Sequence, residues 1–376
     1  MCASFQPQAS SLPILFANVV AVGDGRCRLQ VRKEKDKSID AREQYVLVRR
    51  HVDFTSRATI AELERCAAAP QDSLFARLLG DGARAWCEAS GSKADELVEA
   101  LNEVERTRPS RATFSQDAGL RRVLARRCCI QIGPPGAGKT HWGADTILRI
   151  CRAADHIGVA LKILVTACTH SALDCLLEKL CSLRRADDAV RVLKCDVDAK
   201  RPTAPGQSCW VTLKRGDGAK AKRYITAQRK AGVIVAASAD GETLDVRLDG
   251  DGNVYKGVSS NCFRHRHAFD VFDGTDVDKE IFGTKGCVVV GATTHRAGKK
   301  LAAEVVQGRF NVLLIDEASQ MLPSVAALAI KALDPECGRL VILGDPKQMR
   351  PTIRTQLPEE TDVGASILDL AVRQLR

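Results

Sequence analysis

One stretch of eight residues constrains the fold of this chain more than any other. It fits the pattern G-x-x-x-x-G-K-[ST] and consists of Gly133, Pro134, Pro135, Gly136, Ala137, Gly138, Lys139 and Thr140. An apolar run from Cys128 to Ile132 precedes it, and a helical pattern from Thr140 to Ala153 follows it. A strand, a small-residue loop and a helix N-terminus in this order form a binding site for a polyphosphate. The pattern predicts that Lys139 reaches the terminal phosphates and that the Thr140 hydroxyl binds Mg²⁺.

Length and charge allow several domains and favour a polyanionic partner. The 376 residues suffice for about two or three domains. Lys and Arg number 56 against 46 Asp and Glu, and the net charge of +10 makes nucleic acid the first candidate partner. Aromatic residues make up only 4%, so we expect a nucleic acid to be held through its phosphates rather than by many stacked bases.

The spacing of the 15 cysteines does not predict a disulfide or zinc framework. They include no C-x-x-C pair, as expected of reduced thiols in an intracellular protein, either cytoplasmic or nuclear. Cys262, His265 and His267 are spaced closely enough for their side chains to reach one metal ion. We favour a structural loop for this segment, and metal binding stays open. Leu12 to Val22 is interpreted as a strand because no basic residue precedes it, and no apolar run approaches the ~20 residues of a membrane span.

The sequence predicts two units before the loop. Residues 1–57 form a β-rich unit with strand patterns at Ile14 to Val22, Arg26 to Arg32 and Gln44 to Arg50. Residues 58–112 have helical spacing and are predicted to form a connector, with candidate core positions Ile60, Leu63, Leu74, Leu78, Leu97 and Leu101.

Residues 113–200 and 268–376 alternate strands with helices, as a parallel, doubly wound α/β sheet requires. A further strand is predicted at Val190 to Leu193, and an amphipathic helix at Ser171 to Leu183. The main predicted strands are Cys128 to Ile132, Lys162 to Thr166, Cys287 to Gly291, Val312 to Ile315 and Leu340 to Leu343.

Residues 201–267 interrupt this pattern and are predicted to form an inserted β subdomain. Strand patterns at Gly232 to Ala237, Leu244 to Leu248 and Asn253 to Val258 are joined by Asp-Gly turns and resemble small Tudor-like or SH3-like barrels. A basic run in the insertion is either a solvated face or a clamp on nucleic acid, and it comprises Lys214, Arg215, Lys220, Lys222, Arg223, Arg229 and Lys230.

Two adjacent carboxylates, Asp316 and Glu317, follow the strand pattern Val312 to Ile315. At the carboxyl end of a parallel strand beside the loop, Asp316 is placed to bind Mg²⁺ through water and Glu317 to polarise an attacking water. A solvated acidic strand end is the alternative. Four further motifs in a fixed order favour the first interpretation.

These motifs carry a family resemblance. Before the loop stands Thr113-Phe114-Ser115-Gln116, and after it come Thr166-Ala167-Cys168-Thr169-His170, Gly291-Ala292-Thr293-Thr294, Asp316-Glu317-Ala318-Ser319-Gln320 and Gly344-Asp345-Pro346-Lys347-Gln348. Together they resemble the Q motif and motifs I, Ia, Ic, II and III of superfamily 1 nucleic-acid helicases, especially the nonsense-mediated-decay helicases and their DNA-replication relatives. The resemblance covers roughly residues 113–200 and 284–376. It implies a RecA-like P-loop NTPase sheet.

The resemblance implies a role for each matched residue in the hydrolysis of ATP. Gln116 would read the adenine edge, with a core or surface glutamine as the alternative. Lys139 would neutralise the β- and γ-phosphates, and Thr140 with Asp316 would hold Mg²⁺. The remaining roles are those of the catalytic base, Glu317, and of the γ-phosphate sensor, Gln348.

At the other strand ends, the resemblance implies contacts to the sugar-phosphate of a single strand. The residues concerned are Thr166, Thr169, His170, Thr293 and Thr294. Helix N-capping by Thr169 can coexist with binding, and His170 more simply packs at the start of a helix. No readable motif distinguishes RNA from DNA.

The resemblance ends with the first half of a helicase. A helicase of this group has a second RecA-like domain with an arginine finger, which contributes ~10³–10⁵ in rate. We expect that domain to be absent from residues 1–376, in which case a partner could supply it in trans. We also expect residues 1–376 alone to hydrolyse ATP slowly and not to unwind a duplex. A stand-alone ATP-dependent nucleic-acid-binding module is the alternative. A metabolic P-loop kinase would explain Lys139 and Asp316, but not Gln116 or the motif from Gly344 to Gln348.

Overall fold

The computed structural model divides the chain into two compact units, Met1–Val52 and Asp53–Arg376. It describes residues 17–23, 26–31, 56–80, 83–89, 93–107, 112–196, 205, 208–211, 230–239, 242–250, 252–259, 263–265, 268–272, 274, 276–301, 307–351 and 364–375. In the first unit, β1 (Ala17–Gly23) pairs antiparallel with β2 (Arg26–Val31). The strand predicted at Gln44 to Arg50 lies outside the described residues.

Four helices open the second unit: α1 (Ser56–Ala68), α2 (Leu74–Leu79), α3 (Ala83–Glu88) and α4 (Ala94–Thr107). The core positions predicted at Leu74, Leu78, Leu97 and Leu101 are buried. The prediction for Ile60 is wrong, because its side chain is 54% exposed. The inner face of α1 carries Glu62, Leu63 and Cys66, and Ile60 lies off that face.

A seven-stranded parallel sheet forms the centre of the second unit and confirms the predicted RecA-like α/β fold. In spatial order its strands are β11 (Asp270–Phe272), β5 (Val190–Cys195), β12 (Cys287–Thr293), β4 (Lys162–Ala167), β13 (Val312–Ile315), β14 (Arg339–Gly344) and β3 (Cys128–Ile132). The four strands β12, β4, β13 and β14 are buried along their whole length, as expected where helices cover both faces of a parallel sheet.

Alternate residues of these strands enter two separate apolar cores. Leu313 and Ile315 face α1, α2, α3, α9 (Pro323–Ile330) and α10 (Ile367–Leu375), whereas Leu314 faces the other layer. That second layer consists of α4, α5 (Phe114–Ala125), α6 (Lys139–His156) and α7 (His170–Leu183). The short helix α8 (Thr294–Arg296) follows β12. Every helix in the described part of the chain is too short or too polar to cross a lipid bilayer.

Helix α7 lies close to the sheet at Gly291. A Cβ atom there would lie 2.5 Å from Cδ1 of Leu177, which is fully buried. We expect Gly291→Ala to lower the free energy of unfolding by about 1–3 kcal/mol, and Leu177→Ala to lower it by about 2–5 kcal/mol. In the double variant the alanine methyl occupies the space that Leu177 leaves, so urea denaturation should show a combined loss well below the sum. Additive losses would contradict this packing.

The insertion forms its own antiparallel sheet of five strands. Their order is β10 (Phe263–His265), β6 (Ser208–Val211), β7 (Lys230–Ala237), β8 (Thr243–Leu248) and β9 (Val254–Ser259). Its small core contains Cys209, Val211, Ile234, Leu244, Val246, Leu248 and Val258. The pairings among described residues leave β9 and β10 at the sheet edges, so closure into a Tudor-like or SH3-like barrel stays a prediction. Cys262, His267 and the basic run from Lys214 to Arg229 lie outside the described residues.

Candidate nucleotide and nucleic-acid site

Three neighbouring strands, β13, β14 and β3, end at the same edge of the sheet and bring the predicted nucleotide residues together. Ile132 at the end of β3 stands opposite Gly344 at the end of β14. The next residue, Gly133, donates its N–H to the Gly344 carbonyl at 3.2 Å. Asp316 directly follows β13 on the other side of β14. The loop, the carboxylate pair and the Gly-Asp-x-x-Gln segment therefore occupy one continuous edge.

The loop from Gly133 to Thr140 has the backbone that its glycines predict. Gly136 and Gly138 have φ of +76° and +80°, and a Cβ atom at either position would have no atom within 4 Å. Left-handed φ favours glycine, and the open space beside the loop suits a polyphosphate. The Lys139 ammonium donates to the Gly133 carbonyl at 2.8 Å, so it lies within the curve of the loop. Thr140 is half-buried in the first turn of α6.

Asp316 is buried and Glu317 is half-buried, an arrangement that suits a cation and a water molecule. Burial raises the pKa of Asp316 to about 6; repulsion from Glu317 acts in the same direction, while the Glu317 N–H and the Lys139 ammonium lower it. Glu317 has a left-handed backbone, with φ of +52° and ψ of +41°. Its Oε2 is buried and has no hydrogen-bond partner within the described structure. Unpartnered buried carboxylate oxygens are costly, so these residues fit Mg²⁺ and an ordered water.

The segment after β14 is a tight turn organised by Asp345. The buried Asp345 carboxylate accepts the backbone N–H of Lys347 at 2.9 Å. The backbone carbonyl of Asp345 accepts the N–H of Gln348 at 3.0 Å. A Cβ atom at Gly344 would lie 3.2 Å from the backbone nitrogen of Ser319, so the turn packs directly on the segment that follows Glu317. Gln348 is half-buried at this turn.

Gln116 lies at the tip of α5 and participates in a capping box. Its Oε1 accepts the N–H of Thr113 at 3.0 Å, and its own N–H donates to the Thr113 hydroxyl at 3.4 Å. This contact supplies a structural reason for glutamine at the position. Recognition of adenine by the side chain stays a prediction.

The predicted nucleic-acid residues fall into two groups. Thr166, Thr293 and Thr294 are buried, and the hydroxyls of Thr166 and Thr294 lie 3.5 Å apart. Thr169 is exposed and caps α7 by accepting the Ala172 N–H at 3.2 Å, while the half-exposed His170 places Nδ1 3.2 Å from Asp196. The contact of all these residues with a single strand stays a prediction.

A cavity of about 290 Å³ joins the start of α7 to Glu317. It is lined by Cys168, Thr169, Ser171, Ala172, Cys175, Glu317 and Gln320. Cys168 and Gln320 belong to two of the motifs quoted above, but no role was predicted for either, and Cys175 belongs to none. Cys168 and Cys175 lie near Glu317 only because the ends of β4 and β13 are adjacent, which no local signal shows.

A parallel sheet with this loop, this carboxylate pair and this turn at adjacent strand ends defines a RecA-like P-loop NTPase. Residues 275–356 match the AAA_11 family model, described as an AAA domain. The chain is 22% identical over 358 residues to the DNA polymerase alpha-associated DNA helicase A of Schizosaccharomyces pombe, covering 90% of this chain and 46% of that protein. It is 30% identical over 87 residues to the putative helicase mov-10-B.1 of Danio rerio, covering 23% and 9% respectively.

The chain therefore spans about half the length of the first relative and less than a tenth of the second. Among solved structures, a nuclease-deletion mutant of the Type ISP restriction-modification enzyme LlaGI in complex with a DNA substrate mimic is weakly similar. Its TM-score is 0.38 at 10% identity, over 64% of this chain and 18% of that one. The motifs and the sheet, together with the helicase-named relatives, make this chain similar to superfamily 1 helicases.

Proposed function

We propose that this chain is the ATP-binding half of a superfamily 1 helicase. It couples ATP hydrolysis to translocation on single-stranded RNA or DNA when a second RecA-like domain completes the cleft, in the same protein or in trans. The observation that carries the proposal is the edge where Gly133 bonds to Gly344 and Asp316 follows the adjacent strand. The helicase-named relatives and the net charge of +10 support a nucleic-acid partner. The proposal places the protein in the nucleus or the cytoplasm.

In the proposed reaction the chain binds the triphosphate and orients the attacking water. Lys139 lies inside the loop and pairs with the β- and γ-phosphates in place of the Gly133 carbonyl. Thr140 and Asp316 would hold Mg²⁺, which supplies neutralisation of phosphate charge when bound. The buried, unpartnered Oε2 of Glu317 is the atom available to accept a proton from water. Gln348 contacts the γ-phosphate from the turn that Asp345 organises.

The nucleic-acid strand is proposed to cross the carboxyl ends of β4 and β12. Thr169 and His170 are accessible there and would contact the sugar-phosphate directly. The buried Thr166, Thr293 and Thr294 would support the strand ends instead, and the hydroxyls of Thr166 and Thr294 lie within 3.5 Å of each other.

The proposal is tested by ATP hydrolysis and strand binding with the purified chain. We expect slow, Mg²⁺-dependent hydrolysis, binding of a single-stranded oligonucleotide that responds to ATP, and no strand separation. Covalent linkage to a second RecA-like domain should raise the hydrolysis rate by ~10³–10⁵ if that domain brings an arginine finger. Lys139→Ala, which removes the loop cation, is the control and should abolish ATP binding. Phosphate transfer to a small acceptor, with no effect of single strands, would overturn the proposal in favour of a kinase.

A further inference from the structure

The tip of α5 is held by the helix that begins at the phosphate-binding loop. Trp142 lies in the first turn of α6, three residues after Lys139, and its side chain is buried. Its indole N–H donates to the backbone carbonyl of Gln116 at 2.8 Å. A single hydrogen bond therefore connects the loop helix to the residue predicted to read the base.

The body of α5 is seated closely on the same tryptophan. A Cβ atom at Gly119 would lie 3.0 Å from Cζ2 of Trp142 and 2.9 Å from Oε1 of Gln131, the penultimate residue of β3. A side chain at Gly119 would press on the rigid ring of Trp142, whereas the end of the Gln131 side chain could turn aside. The close fit therefore fixes the distance between α5 and the loop helix.

An ionic contact further along α6 fixes the direction of α5. The buried Arg149 bonds to Glu105 on α4, with its Nε 2.6 Å from the carboxylate, and to Asp117 on α5. Arg121 bonds to the other oxygen of Asp117 at 2.8 Å. Burial raises the pKa of Asp117, but the hydrogen bonds from Arg149 and Arg121 outweigh it and bring that pKa below the ordinary value. Asp117 is therefore ionised at neutral pH, and the contact persists.

The tip that these contacts fix presents two groups suited to a purine base. The Phe114 side chain is 91% exposed. The side-chain oxygen of Gln116 caps the helix, and its amide nitrogen takes no part in that capping contact. We propose that Trp142 is a positioning residue for base selectivity, which holds Phe114 and Gln116 where they meet the base of ATP. This inference rests on the proposed function. The phosphates are bound by the loop itself, so Trp142 affects the base and not the triphosphate.

The test is Trp142→Phe, which removes the indole N–H and retains an aromatic ring. We expect the KM for ATP to rise about three- to tenfold, as loss of one hydrogen bond implies. The preference for ATP over GTP should fall by a similar factor. The kcat and the inhibition constant of inorganic tripolyphosphate should stay unchanged. Trp86→Phe is the matched control, because Trp86 is also buried and its N–H has no hydrogen-bond partner in the described chain.

A second variant, Asp117→Asn, weakens the Arg149 contact from the α5 side and should change selectivity in the same direction. If Trp142→Phe does not fold, as judged by thermal denaturation, Asp117→Asn decides alone. If the wild type prefers ATP and the folded variants keep the same preference, the positioning role of Trp142 is overturned and the proposed function is not. The positioning role is also overturned if the wild type binds ATP without preference over GTP. A wild-type chain that binds no nucleotide would instead refute the proposed function.

Discussion

Replacing Glu317 by Gln is expected to lower the rate of ATP hydrolysis by about 10²–10⁴-fold, the usual contribution of a general base. The amide has the same shape but cannot accept the proton of the attacking water. ATP binding depends on the loop around Lys139 and should be retained within about fivefold, since a neutral hydrogen-bond change is worth about 1 kcal/mol. Single-turnover hydrolysis and equilibrium binding of a fluorescent ATP analogue measure the two quantities.

The matched control for this variant is Glu178→Gln on the exposed face of α7, which should change neither quantity. The left-handed backbone of Glu317 is unchanged by glutamine, so the variant should fold like the wild type. Hydrolysis at the wild-type rate in Glu317→Gln would exclude Glu317 as the base. Loss of both binding and hydrolysis would instead indicate that Glu317 acts on nucleotide affinity.

Replacing Asp316 by Asn is expected to abolish Mg²⁺-dependent hydrolysis and yet to stabilise the fold. The carboxylate is 2% exposed, and burial raises its pKa from 3.8 to about 6. Each pKa unit corresponds to about 1.4 kcal/mol, so ionised Asp316 costs the folded state about 3 kcal/mol. Asparagine avoids this cost and can still accept the Glu317 N–H. Urea denaturation in Mg²⁺-free buffer should show the gain at pH 8.

The sign of the pH dependence follows from the raised pKa. Between about pH 4 and pH 6 the folded chain holds a proton on Asp316 that the unfolded chain has lost, so this group lowers stability as pH rises through that window. Above about pH 6 the folded state bears the full cost of the ionised Asp316 carboxylate. Below about pH 4 Asp316 is protonated in both the folded and the unfolded state, so the cost is absent. The advantage of Asp316→Asn over the wild type should therefore vanish near pH 4.

Asp188 supplies a control of opposite sign. Burial raises its pKa, but the hydrogen bonds from Arg152 and from the Arg185 N–H outweigh this and bring it below 3.8. Its ionised form therefore stabilises the fold above pH 4, and that contribution is lost as pH falls. Asp188→Asn should accordingly be less stable than the wild type at pH 8. If Asp316→Asn were also less stable there, the carboxylate would have a compensating partner and the cost inferred from its burial would be wrong.

Local patterns predicted the central sheet well because its strands are short apolar runs bounded by loops with strong preferences. The strands at Cys128–Ile132 and Val312–Ile315 begin and end where the sequence predicts. The strands β6, β10 and β11 were not predicted, since each has only three or four residues and is recognisable only by its partner. The prediction that Ile60 is a core residue is wrong for a related reason, because apolar character on a helix does not show which face meets the core.

The candidate site divides in the same way. The loop glycines and the order of the carboxylates are local properties, so their chemistry could be inferred from residue types alone. The burial of Thr166 and Thr294 could not, because it depends on β4 and β12 lying side by side. The contacts of Trp142 and Arg149 with α5 join residues 26 and 32 positions apart, and neither belongs to a recognisable motif.

The sequence by itself therefore determined the class of fold, the phosphate-binding loop and the identity of the residues at each strand end. Backbone conformation and strand propensity act over a few residues, and the chain carries those signals locally. Only the tertiary structure decided which strand ends are neighbours, which hydroxyls are buried and what holds α5 against the loop helix. These depend on packing between distant segments, where a side chain's environment is set by partners that its own neighbours in sequence do not specify.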